Sequence, residues 1–131
     1  MARILIAEDE ETLRNLLRRA LIEVGHSVLT TADGAEALDI LTREKGDFDL
    51  LLTDIKMPVM DGIALALAAA RDFPDVVILL MTGYADQRER ANGLDALIHG
   101  VVTKPFSLAD IKFEVASALA SRLHTPARQS G

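Results

Sequence analysis

The sequence predicts an α/β fold: a doubly wound, five-stranded parallel sheet in the order 2-1-3-4-5, with helices on both faces. Two observations carry this. Apolar runs of strand length alternate with amphipathic segments of helix length along the 131 residues. Those runs are continuous rather than alternating, as strands covered on both faces require. Parallel strands need right-handed crossovers, and for five such units the common doubly wound order is 2-1-3-4-5.

Arg3–Ala7 (RILIA) is the first strand. Leu13, Leu16, Leu17, Ala20, Leu21 and Val24 then form a helical core stripe, which Gly25 stops in a left-handed conformation. His26–Thr31 is the second strand, and Asp33 caps a helix that ends near Gly46. Phe48–Thr53 is the third strand. Asp61-Gly62 opens an Ala-rich helix closed by Pro74, in which Ile63, Leu65 and Leu67 cannot share one face. Val76–Thr82 is the fourth and most apolar strand. Tyr84–Gly93 is polar and reads as a short, loosely held helix; Ala96–Val102 is the fifth strand. Ser107 and Asp110, at capping-box spacing, start a last helix whose stripe is Leu108, Ile111, Val115 and Leu119. One domain is expected over residues 1–123, with a patternless, disordered tail at 124–131.

Acidic residues outnumber basic ones 20 to 14, for a net charge of -6. No basic footprint exists for direct contact with nucleic acid or an anionic membrane. Without cysteine there is no disulfide, thiol nucleophile or thiolate metal site. The apolar run at the N-terminus is too short for a signal peptide or a membrane-spanning helix, so a cytoplasmic location is expected. His26, His99 and His124 lack metal-ligand spacing.

The chemistry gathers at the strand ends. Strand 1 runs into Glu8 and Asp9, strand 3 into Asp54 and strand 4 into Thr82, and Lys104-Pro105 follows strand 5. In this topology the crevice lies beyond the carboxyl ends of strands 1 and 3, where the strand order reverses. Crowded carboxylates repel one another, and a single lysine cannot balance three of them. An oxygen-only cluster suits a hard divalent ion, with Mg²⁺ keeping several waters. A carboxylate beside Mg²⁺ can attack phosphorus and become an aspartyl phosphate. Lys104 would neutralise the transferred oxygens and Thr82 would hydrogen-bond one of them. Asp54, on the central strand, is the nucleophile candidate; Asp9 and Glu8 are metal ligands, direct or through water. Singly, each residue has a plainer reading as an N-cap, a strand-end Thr or a solvated Lys. Their convergence singles them out. Met57, Pro58 and Met60 read as loop packing.

Four motifs, in order and at strand ends, resemble the response-regulator receiver domains of bacterial two-component signalling, which have a flavodoxin/CheY-like fold. They are ED after strand 1, DIKMPVMDG after strand 3, Thr82 followed by small Gly83, and KPF after strand 5. The resemblance runs from Arg3 to about Leu123. It implies Asp54 as phosphoacceptor, and Asp9, Asp54 and the backbone carbonyl of Lys56 as Mg²⁺ ligands, with Glu8 in the outer shell. It also implies Thr82 and Lys104 as the switch and phosphate-binding pair, and a cis Lys104–Pro105 bond. Two positions depart from the common pattern. Val101 stands where many receivers carry an aromatic switch residue, so any relay here uses the backbone and the weak helix instead. Lys56 and Tyr84, at positions that tune water access in the family, imply shielding of the phosphoryl group and slow self-dephosphorylation.

The expected function is therefore a phosphoacceptor switch and not an enzyme. A histidine kinase or phosphotransfer protein would phosphorylate it as a monomer or weak dimer. It would act on a downstream protein through the weak helix, strand 5 and the last helix. The single-domain form resembles chemotaxis, phosphorelay and cell-cycle regulators, including protease-adaptor receivers. One alternative is an N-terminal receiver fragment of a larger transcriptional regulator. A Mg²⁺-dependent aspartyl-phosphate phosphatase of the haloacid-dehalogenase type would want a second acid where Lys56 stands, and a cap domain. A flavodoxin-like nucleotide binder would want a phosphate-cradling loop where AEDEE stands.

Overall fold

All strand pairings are parallel, and the sheet order is β2-β1-β3-β4-β5, as the sequence predicts. The computed structural model describes residues 1–83 and 89–122. The strands are β1 (Arg3–Ala7), β2 (Ser27–Thr31), β3 (Leu50–Asp54), β4 (Val77–Thr82) and β5 (Gly100–Thr103). Helices described from end to end are α1 (Glu11–Glu23), α2 (Gly34–Arg43), α3 (Gly62–Asp72) and α4 (Leu108–Arg122), and a 3-10 turn at Asn92–Leu94 precedes β5.

Successive strand side chains point to opposite faces, so the continuous apolar runs feed two cores. Leu5 and Leu51 pack with Leu41 and Leu65 on the α2 and α3 side. Ile4, Ile6, Leu50 and Leu52 pack with Leu17, Leu21, Ile111 and Val115 on the α1 and α4 side. β3 lies between β1 and β4 and is buried throughout, which gives Asp54 a fixed base.

The caps form as expected. Gly25 has φ +100. Asp33 accepts from the Glu36 N–H and Asp61 from the Ala64 N–H. Ser107 and Asp110 bond reciprocally.

Several boundaries and faces differ from expectation. β2 and β4 begin one residue late, at Ser27 and Val77. β3 is displaced to Leu50–Asp54, because the Phe48 N–H turns back to the Gly46 carbonyl; Asp54 is thus the last residue of the strand itself. β5 does not start at Ala96. The N–H groups of Leu97 and Ile98 both donate to the Leu94 carbonyl, so this stretch is a turn. Ile98 is apolar because it packs in the core, not because it joins the ladder. On α1, Leu16 and Val24 are 42% and 50% exposed, and only Leu17, Ala20 and Leu21 are buried. On α3 the exposed member of the trio is Leu67. Residues 84–88 of the weak helix and the whole tail 124–131 lie outside the described residues.

Candidate functional site

At the carboxyl ends of β1, β3 and β5 lies an open cleft of about 580 Å³. Glu8, Asp9, Glu10 and Asp54 line it on the acidic side, Lys56 and Lys104 on the basic side, with Gly83 and Pro105 beside them. One carboxylate oxygen from each of Glu8, Asp9 and Asp54 falls within 4.8 Å of the others. Lys104 Nζ lies 3.2 Å from Glu8 Oε1 and 3.3 Å from Asp54 Oδ2. Glu8 and Asp54 are buried, at 1% and 6% exposure, whereas Asp9 is open to solvent. The sequence therefore identified the acids and the lysine that the fold brings together. It missed Glu10, whose only signal was its place as the third acid of AEDEE.

Thr82 is the last residue of β4 and fully buried; its neighbour Gly83, not Thr82, lines the cleft. The Thr82 carbonyl accepts the Lys104 N–H at 2.7 Å, and the Lys104–Pro105 bond is cis. Val101 stands half-buried on β5, opposite Leu80 and against the α2/α3 core, away from the cleft. Tyr84 lies outside the described residues.

The loop after β3 folds back tightly under Asp54. The Ile55 N–H donates to Asp54 Oδ1 at 2.9 Å and to the Met81 carbonyl at 3.1 Å. The Gly62 N–H donates to the Ile55 carbonyl at 2.7 Å. A Cβ on Gly62 would sit 2.0 Å from the Asp54 carbonyl oxygen, so only glycine permits this approach. Gly34, opening α2, donates to the Met60 carbonyl at 3.0 Å. Met57 is buried and Met60 packs beside it, which matches their reading as loop packing. At the loop's tip Val59 has φ 68 and is 85% exposed. A β-branched residue in the left-handed region is strained.

Burial pushes the Asp54 and Glu8 carboxyls above their ordinary values, despite the opposing pull of Lys104 and backbone N–H groups. Burial acts to lower Lys104, but the carboxylates of Asp54 and Glu8 outweigh it and hold the ammonium above its ordinary value. One lysine thus serves two buried acids, with a third beside them. This oxygen-only, under-compensated cluster fits a hard divalent cation such as Mg²⁺.

The family model for the response regulator receiver domain matches residues 4–116. The response regulator receiver protein CpdR of Brucella abortus is 40% identical over 91% of this chain and 98% of that protein. A CheY-like response regulator receiver domain protein from Methanospirillum hungatei superposes with a TM-score of 0.85 at 27% identity, over 95% of this chain and 98% of that one. The response regulator TrrA of Thermotoga maritima, solved in complex with Mg²⁺-BeF, gives a TM-score of 0.78 at 31% identity, over 90% and 99%. Several relatives described as transcriptional regulators are longer, and this chain spans 42–48% of them. No helix among the described residues is long and apolar enough to cross a membrane. With the fold, the strand-end acids and these likenesses in agreement, the chain belongs to the response regulator receiver domains of two-component signalling.

Proposed function

We propose that Asp54 is the phosphoacceptor of this receiver and that the cleft around it is the phosphotransfer site. The supporting observation is Asp54 itself. Its carboxylate is buried at a strand end, with Oδ1 fixed by the Ile55 N–H and Oδ2 near Lys104 at the mouth of an open cleft. An Asp54 oxygen forms a bond to phosphorus as the bond from phosphorus to the donor breaks, and the electron pair leaves with the donor. That donor is a phosphohistidine of a histidine kinase or phosphotransfer protein, or a small acyl phosphate. Asp9, Asp54 and the Lys56 carbonyl would hold Mg²⁺, with Glu8 in the outer shell. When bound, the ion neutralises charge on the transferred oxygens. Lys104 orients a phosphoryl oxygen, and Thr82 accommodates another from its buried position at the end of β4.

The domain extends over residues 1–123, and its output is a protein contact through β5 and α4, where Phe113 is 69% exposed. Val101 leaves no aromatic rotamer to flip, so the response passes through Thr82 and the β4–β5 backbone. Lys56 lines the cleft and shields the phosphoryl group. The test is intact mass after exposure to acetyl phosphate and Mg²⁺. One phosphoryl group should add to the wild type and none to Asp54→Ala. Equal labelling of both, or catalytic turnover of the phosphate donor without retained label, refutes the reading.

A further inference from the structure

Glu8 and Asp9 are consecutive, yet both offer an oxygen to the same small cluster. In a strand, neighbouring side chains point to opposite faces, so the backbone has to leave the strand path immediately after Ala7. The contact on that backbone comes from the fourth residue of α1. Arg14 Nη1 donates to the Glu8 carbonyl at 2.9 Å and reaches the Asp9 carbonyl at 3.4 Å. Two successive carbonyls converge on one guanidinium nitrogen, which breaks the alternation a strand would impose. The other side of the turn is held by the Glu8 N–H on the Thr31 carbonyl and the Glu10 N–H on Glu8 Oε2. Arg14 is half-buried, and among the described residues its hydrogen bonds go to these carbonyls.

We propose that Arg14 is a positioning residue for the metal site, acting on the backbone of Glu8 and Asp9 so that both carboxylates face Asp54. This rests on the reading of the cleft as a Mg²⁺-dependent phosphoacceptor site. Charge alone does not explain the placement. Arg18 and Arg19 carry the same charge on the same helix and are exposed, while Arg14 alone of the three is tied to the acidic turn. The guanidinium presents its donors in a fixed fork, so a lysine, with a single nitrogen, should restore part of the effect.

The test is direct Mg²⁺ binding by calorimetry, together with the Mg²⁺ dependence of labelling by acetyl phosphate. The proteins are wild type, Arg14→Met, Arg14→Lys and Arg18→Met. Loss of a group that orients metal ligands costs about 10–100-fold in affinity. Arg14→Met should fall in that range and Arg14→Lys between it and wild type, with Arg18→Met unchanged. At saturating Mg²⁺ the labelling rate of Arg14→Met should return to within about twofold of wild type, since the nucleophile and Lys104 are untouched. Unfolding in EDTA monitors the fold of each variant, and Arg14→Lys carries the test if Arg14→Met is poorly folded. Affinities of Arg14→Met and Arg14→Lys equal to wild type would overturn the inference and leave the phosphoacceptor reading intact. An equal loss in Arg18→Met would also overturn it, in favour of a general charge effect. If wild type bound no Mg²⁺, the reading beneath would fall, and this inference with it.

Discussion

Replacing Gly62 with alanine tests how tightly the loop under Asp54 is drawn. The added Cβ would lie 2.0 Å from the Asp54 carbonyl oxygen and 2.9 Å from both the Asp54 carbonyl carbon and Ile55 Cα. A carbon and a carbonyl oxygen approach comfortably only to about 3.3 Å, so the two segments must separate by roughly 1.3 Å. Neither side yields easily. The Asp54 carbonyl also accepts the Thr53 hydroxyl, and the Gly62 N–H is bonded to the Ile55 carbonyl at 2.7 Å. Overpacking costs about 1–3 kcal/mol, and losing the buried hydrogen bond adds about 1 kcal/mol. The better helix propensity of alanine at the start of α3 returns at most about 1 kcal/mol. The net is a loss of about 1–3 kcal/mol, which for a domain of this size lowers Tm by roughly 5–10 °C. Because Asp54 itself is displaced, the labelling rate should fall as well, by up to about 100-fold for a shift near 1 Å. Gly93→Ala is the control, since no described residue lies within 4 Å of its added carbon. It should stay within about 0.5 kcal/mol of wild type. Urea unfolding followed by circular dichroism, with acetyl phosphate labelling in parallel, reads both effects. If Gly62→Ala matched wild type in stability and in labelling, the close approach, and the account of how Asp54 is held, would be refuted.

Two further outcomes follow from the site. In EDTA, burial holds the folded-state carboxyls of Glu8 and Asp54 above their unfolded values, so in that window the folded chain binds more protons than the unfolded one. Their contribution is therefore present at acid pH and lost as pH rises from the unfolded carboxylate range through the raised folded values. Asp54→Asn should lose the Asp54 part of that decline; an unfolding free energy with the same pH slope in both proteins would contradict it. Val59→Gly should stabilise the protein by roughly 0.5–1 kcal/mol, because the residue has φ 68 and at 85% exposure has little packing to lose. A destabilised Val59→Gly in chemical unfolding would show that the loop is not strained there.

How much of this was legible in the sequence depended on whether the signal was local. The sheet order followed from the repeated strand–helix pattern and a topological rule. The site followed from acids standing at the ends of apolar runs, a juxtaposition that topology alone can bring about. Features set by tertiary contact were not legible. Ile98 looks like a strand residue because it is apolar, but it is buried by the core above a turn. Leu16 and Val24 keep helical spacing with the α1 core yet face solvent, because only the stripe over Leu17, Ala20 and Leu21 meets the sheet. Asp61-Gly62 reads as a helix start, but nothing local says that glycine is required by the Asp54 carbonyl. Arg14 is the clearest case. In the sequence it is one arginine among three on a helix, and only the backbone turn after Ala7 distinguishes it.

The charge pattern also explains why a receiver would concentrate acids where the fold makes them costly. Lys104 stands almost equally far from Glu8 and Asp54, so its single positive charge is shared between two buried carboxylates. On the proposed reading, a phosphoryl group at Asp54 would raise the negative charge further and draw the ammonium toward the new oxygens. Glu8 would then lose part of its partner, and a cation from solution would meet the deficit. Occupancy by phosphoryl and by a divalent ion would thereby be linked, and linkage is reciprocal: each would favour the other by the same factor. The backbone of Lys104 is bonded to the Thr82 carbonyl, so the lysine beside Asp54 and the threonine at the end of β4 share one rung of the sheet. On that reading, a change in charge at Asp54 would be felt at the β4–β5 edge through this hydrogen bond, without an aromatic side chain to carry it.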